Sequence, residues 1–281
     1  MVVISSANGK LKGVEKGKIL QFHGIPYAKP PVGKLRFRVP QPAVPWTGVY
    51  DATSRGAIAP QGPSDLDIPM GPIGFPQSED CLTLSISTPS LKECLPVAVW
   101  FHGGANCYGG GDLPWYDGAK MAEAGHLVVV NLNYRLGPLG FLHAPNLNEA
   151  NLSIEDQICA LRWIHENIRD FGGDPEKITL FGQSAGGNAI IHLLSREDTE
   201  GLFHQILLES PSLGRGNHTS ADADEIGTAV LHALGVSLHP DEDILGKVGD
   251  YSANEILRAA EQVPGELLKK HQGMLFKPVM D

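Results

Sequence analysis

Residues 180–187 read LFGQSAGG and set Ser184 among glycines at 182, 186 and 187. An apolar run of strand character precedes the serine and a helical pattern follows it. That context turns G-x-S-x-G into a nucleophile elbow, a turn from strand to helix so sharp that the serine takes a strained backbone conformation and its neighbours must be small. The Oγ then stands exposed above the sheet, and the free N–H groups of the next helix face whatever charge develops there. A Gly-rich turn carrying an incidental serine is the plainer reading of the pentapeptide alone; the flanking strand and helix favour chemistry.

A second glycine cluster, WFHGGANCYGGG at 100–111, also follows an apolar run. By itself such a loop is a turn or a phosphate cradle. Beside an elbow it resembles the H-G-G-G type of oxyanion loop, in which fixed backbone N–H groups stabilise the oxygen of an acyl-transfer intermediate. The donors are assigned to Gly104, Ala105 and Ala185, with Gly103 providing the turn.

These groups need a scaffold that brings two strand ends together. LPVAVWFHGG and HLVVVNLNY alternate too little for a sheet with one wet face, so they read as central strands buried on both sides. NLSIEDQICALRWIHENIRDFGGDP places Ile154, Ile158, Leu161 and Ile168 on one helical stripe, with Ser153 or Asn151 to cap its start and Gly172, Gly173 and Pro175 to stop it. KITLFG, AGGNAIIHLLS and FHQILLES continue the alternation, which predicts an α/β fold with a mostly parallel central sheet and crossover helices. The first 25 residues read as an antiparallel meander at a sheet edge. A Pro-rich stretch from Pro26 to about Pro76 reads as ordered coil, since Phe37, Val44, Trp46 and Ile58 supply groups to bury. Residues 95–210 form the nucleophile-bearing core of the single domain assigned to 1–281, and 211–281 is a helical segment.

The chain has 281 residues, enough for a substantial core. Its formal net charge of −10 argues against nucleic acid or an anionic membrane as partner. No segment approaches the roughly 18 consecutive apolar residues of a membrane span, and no basic and then apolar leader opens the sequence. A soluble, cytoplasmic protein is expected. Cys81, Cys94, Cys107 and Cys159 show no C-x-x-C spacing and the histidines no H-E-x-x-H, so neither a metal nor a cofactor is implied. NLS at Asn151 and NHT at Asn217 match glycosylation sequons, with no secretion signal to support them.

GIPYAKPPVGKLRFRVPQPAVPWTGVYDAT, SEDCLTLSI, VWFHGGA, NYRLGPLGFL, NLSIEDQICALRWIHENIRDFGGDPEKITLFGQSAGG and FKPVMD run in order along the whole chain. Together they resemble the landmarks of the type-B carboxylesterases, the cholinesterase-like α/β hydrolases. The resemblance implies an α/β-hydrolase fold, here apparently truncated to its N-terminal portion, and a serine carboxylesterase acting on small-molecule esters through an acyl-enzyme on Ser184. It implies structural ion pairs of Arg36 with Glu79 and of Arg135 with Asp156. Four positions depart from the pattern: Ala59 replaces the usual partner of Cys81, leaving a free thiol; Gln183 replaces a common glutamate; Asn106 replaces a bulky apolar residue; and Pro211 replaces a glycine.

A serine needs a histidine base oriented by a carboxylate, in this fold in the chain order Ser, acid, His. In the family both lie beyond FKPVMD, and neither is found here. Of the downstream histidines, His192 is some two turns along the elbow helix, roughly 12 Å of rise, and His204 precedes its strand at the wrong end. His218, His232, His239 and His271 read as solvated side chains on surface loops and helices. The alternative to an esterase is a non-catalytic relative that keeps the pocket for binding, or an inactive fragment without the acid and the histidine.

Overall fold

The computed structural model describes residues 1–64, 74–145, 147, 150–239 and 243–280. Part of the Pro-rich stretch, 65–73, and the terminal Asp281 of FKPVMD lie outside the described residues.

Strands β1 (Val2–Ser6), β2 (Gly9–Lys16) and β3 (Ile19–Pro26) form the antiparallel meander. The short β4 (Val49–Asp51) pairs with β2. The sheet continues through β5 (Thr83–Thr88), β6 (Leu95–Phe101), β7 (Val128–Leu132), β8 (Gly173–Gln183) and β9 (Gln205–Glu209). The order in space is β1-β2-β3-β5-β7-β6-β8-β9, with β6 through β9 mutually parallel and the pairings from β1 to β5, and of β5 with β7, antiparallel. The apolar runs of β6 and β7 are almost wholly buried, as expected of strands covered on both faces. By contrast β9 is the last strand of the sheet among the described residues and exposes Ile206 and Leu207.

Helices α1 (Ala119–Gly125), α2 (Gly137–Phe141), α3 (Leu152–Asn167) and α4 (Ala185–Leu194) connect these strands. The predicted stripe of α3 is buried at Ile154, Ile158 and Leu161, and Ile168 follows in a 3-10 turn that ends on Gly172 in the left-handed region. The start differs from expectation. Ser153 lies inside the helix and Asn151 precedes it at φ 63° without capping it, because the Asn151 amide is engaged by the backbone N–H and C=O of Val279 at 2.7 and 2.9 Å. A second apolar cluster joins α2 to α5 (Ser220–Ala233), α6 (Ile244–Gly249), α7 (Ala253–Glu261) and α8 (Gly265–Lys270), through Leu139, Ile226, Val230, Val248, Ile256 and Leu267. Thr219 with Asp222 and Ser252 with Glu255 form capping boxes on α5 and α7. The final pairing is β10 (His218–Thr219) with β11 (Val279–Met280).

In the Pro-rich coil Phe37 and Ile58 are buried and Trp46 packs at the core margin. Val44 is a correction: it is 62 % exposed, because the coil turns it outward. Both expected ion pairs form. Arg36 meets both oxygens of Glu79 at 2.6 Å, and Arg135 meets Asp156 at 2.6 and 2.8 Å in the interior. No described helix is long and apolar enough to cross a membrane.

Candidate active site

The parallel register of β6 and β8 sets Phe101 opposite Gly182. One and two residues further, the loops leaving the two strands carry His102 and Gly103 beside Gln183 and Ser184. This is the carboxyl end of neighbouring strands whose chains depart in opposite directions, one toward β7 and one toward β9, the usual place for a site in an open α/β sheet.

Ser184 sits between β8 and α4 at φ 53°, ψ −117°. Its amide donates to the Glu209 carbonyl at 2.8 Å and its carbonyl accepts from Asn188, the first turn of α4. The flanking glycines are required by contact. A Cβ on Gly182 would stand 2.8 Å from the Gly186 carbonyl carbon, and one on Gly186 would overlap the Phe101 carbonyl oxygen. Pro211 packs near Gly187, occupying the far side of the same junction.

Gly103 has a different role from the one the sequence suggested. A Cβ there would lie 2.5 Å from Gln183 Oε1 and 3.4 Å from the Ser184 Cβ, so its smallness lets the two loops touch. The turn itself begins at Gly104, φ 111°, and runs on through Ala105 and Asn106 at φ 54° and 61°.

The N–H groups of Gly104, Ala105 and Ala185 donate to no acceptor among the described residues. Their directions are fixed from behind, because a planar peptide points its N–H opposite to the preceding carbonyl. The Gly103 carbonyl accepts from His102 Nδ1 at 2.8 Å, and the Gly104 carbonyl accepts from the amides of Cys107 and Tyr108 at 3.0 and 2.9 Å. The His102 ring is buried and stacked on Tyr134 at 4.4 Å, and Tyr134 Oη donates to the His102 carbonyl at 2.6 Å. Burial holds the His102 pKa down at about 4, so the ring is neutral with its proton on Nδ1. This clamp was not read from the sequence; the histidine directly ahead of the glycines was the available signal.

Ser184 Oγ has no hydrogen-bond partner among the described residues. His192 bonds Asn217 at 3.1 Å, and His204 faces Glu176 at 3.8 Å. His232 and His239 are exposed. His218 and His271 are corrections: both are buried, their rings in edge contact at 4.8 Å, because the segment after α8 folds back over α5. His218 Nε2 donates to the Leu275 carbonyl at 3.0 Å. His271 Nε2, Asp222 and Glu225 lie within 4.8 Å of one another, and the ammonium of Lys270 bridges the two carboxylates at 3.2 and 2.5 Å.

An apolar cavity of about 260 Å³ adjoins the loop that follows Gly104, lined by Cys107, Tyr108, Leu257, Leu268, Leu275 and Phe276. Asn106, buried, donates from Nδ2 to the Phe276 carbonyl at 3.1 Å.

The model of the Carboxylesterase family matches residues 1–281. The chain is 43 % identical to the para-nitrobenzyl esterase of Bacillus subtilis (strain 168) over 99 % of its own length and 56 % of the relative's. It is 38 % identical to human cocaine esterase over 91 % of its length and 47 % of that protein. Among solved structures, a thermophilic PNB esterase superposes with a TM-score of 0.88 at 39 % identity, covering 99 % of this chain and 57 % of that one. A Geobacillus stearothermophilus carboxylesterase gives 0.85 at 38 %, covering 99 % and 55 %. The chain spans about half the length of the curated relatives it matches. The elbow, the glycine loop beside it, the buried ion pairs and a match along the full sequence agree: the chain has an α/β-hydrolase fold and belongs to the carboxylesterase family.

Proposed function

We propose that the chain carries the acyl-transfer half of a serine carboxylesterase site, with Ser184 as the nucleophile. The observation that carries the reading is the strained backbone of Ser184 at a strand-to-helix turn, with three N–H groups left free around it. Ser184 Oγ attacks the ester carbonyl carbon, and the carbonyl oxygen takes up the charge. Gly104, Ala105 and Ala185 donate to that oxygen, and loss of one such donor lowers the rate about 100- to 1,000-fold. Collapse of the intermediate expels the alcohol and leaves the acyl group on Ser184, for water to remove. Proton transfer needs a base, and the proposal assigns that task to none of the histidines in this chain.

The substrate proposed is a small carboxylic ester, its apolar portion directed to the cavity beside Cys107 and Phe276. A cytoplasmic location accords with four unpaired thiols. The experiment is labelling with a fluorophosphonate, whose phosphorus forms a bond to Oγ as fluoride leaves. Ser184 is expected to be the modified residue, and Ser184→Ala to remove the label. A label that persists in Ser184→Ala would overturn the assignment.

A further inference from the structure

We propose that Asn106 is a positioning residue for the oxyanion loop, its side-chain amide tethering that loop to the segment of Leu275 and Phe276 that also lines the neighbouring apolar cavity. The inference rests on the reading of Gly104 and Ala105 as oxyanion donors.

Two consecutive non-glycine residues, Ala105 and Asn106, occupy the left-handed region. Such a stretch is costly for L-residues and persists where the surroundings enforce it. Asparagine tolerates it best, and this one is restrained from both ends. Its carbonyl accepts from the Gly137 amide at 2.6 Å, and its Nδ2 donates to the Phe276 carbonyl at 3.1 Å. The partner is itself anchored: His218 binds the Leu275 carbonyl through its ring and the Pro278 carbonyl through its amide, and Asn151 brackets Val279.

The tether therefore runs from a fixed segment to the residue directly after Ala105. It joins two segments that both line the cavity, since Cys107 and Tyr108 follow Asn106 in the chain and Leu275 and Phe276 belong to the anchored segment. Through that bond the position of Phe276 bears on the residue that follows Ala105. An apolar side chain at 106 would fill the space and leave the Phe276 carbonyl without its donor, a loss of about tenfold in whatever depends on the geometry.

The test compares wild type, Asn106→Asp and Asn106→Gly, both substitutions compatible with the left-handed backbone. One readout is the rate of fluorophosphonate attachment to Ser184, followed by mass spectrometry from pH 5 to 8. At pH 8 the Asp carboxylate cannot donate, and labelling is expected to fall about tenfold relative to wild type. Burial against the Phe276 carbonyl raises this carboxyl above the ordinary value of about 3.9, and as it protonates toward pH 5 its O–H can replace the amide donor, so the ratio to wild type rises. The Gly variant stays slow at every pH. The second readout is hydrogen exchange at the Cys107 and Tyr108 amides, which are bonded to Gly104; it is expected to quicken about tenfold in both variants at neutral pH. Equal labelling and equal exchange in folded Asn106→Asp would overturn the proposal. If wild-type Ser184 is not labelled, the exchange measurement alone decides the tether.

Discussion

Gly186 and Phe101 approach so closely that a Cβ on Gly186 would overlap the Phe101 carbonyl oxygen, whereas a Cβ on Gly187 would meet its nearest neighbour, the Gly182 carbonyl oxygen, at 3.2 Å. The two glycines are adjacent in sequence and unequal in the space they leave. Gly186→Ala must push α4 away from β6, at the point where Ser184 and the Gly103 loop meet. We expect it to lower stability by about 1–3 kcal/mol or more, and Gly187→Ala to do so by clearly less. Thermal melts of the two variants, at about 2–4 °C per kcal/mol, give the comparison. An equal loss in both would contradict the contact.

Asp156 receives the Arg135 backbone amide at 3.1 Å as well as two guanidinium bonds, and its side chain is wholly buried. Asp156→Asn leaves a cation in the interior with no counter-charge and is expected to destabilise by about 3–5 kcal/mol. Glu79→Gln, whose carboxylate retains contact with solvent, is expected to fall short of that because Arg36 keeps its bonds to the Tyr251 and Gly249 carbonyls. Urea midpoints rank the two; Glu79→Gln as the more damaging change would reverse the assignment of the central pair.

Burial holds His102 and His218 at about 4, below the ordinary value of 6.5; the Lys277 charge contributes second at His218. The folded state thus binds fewer protons than the unfolded state between these limits, and stability rises with pH across that window. It is fully present above about pH 6.5 and is lost as pH falls toward 4. For His102, completely enclosed, the lowering is on the order of 3 kcal/mol. His102→Asn is expected to flatten the pH dependence of the denaturation midpoint between pH 4.5 and 6.5. An unchanged slope would show that the ring is already charged in the folded protein.

Cys94 is exposed, while Cys81 is fully buried and Cys107 and Cys159 are pushed up to about 12 by burial. A thiol reagent applied to the native protein at pH 7.5 is expected to modify Cys94 rapidly, Cys107 slowly through the cavity it lines, and Cys81 and Cys159 only on unfolding. Rapid native modification of Cys81 would mean that the coil carrying Ala59 opens readily.

The sequence disclosed those features that depend on nearest neighbours or on periodicity. Glycines around Ser184 declared the elbow because the steric requirement is local, and the α3 stripe declared its buried face. The meander and the parallel core were readable from where apolar runs alternate and where they do not. Contacts between distant segments were less accessible. Asn151 has the composition of a cap, yet Val279, far along the chain, engages its amide. His218 and His271 lie in polar surroundings, and only the return of the last segment over α5 encloses them. The His102 clamp depends on a ring orientation set by Tyr134, which no spacing reports. The turn expected at Gly103 falls on Gly104, and Gly103 instead meets Gln183, a contact that is a property of strand register.

The strand β9 leaves one long edge of the sheet without a neighbour among the described residues, and it displays Ile206 and Leu207 there. Such an edge can join another by short-range pairing. The opposing influence is the net charge of −10, which acts at longer range and keeps copies apart. Salt shortens that repulsion, to about 8 Å at 0.15 M and 3 Å at 1 M, while leaving apolar and backbone pairing intact. Between copies of residues 1–281, rising salt therefore weakens what separates them and leaves untouched the capacity of the β9 edge to pair.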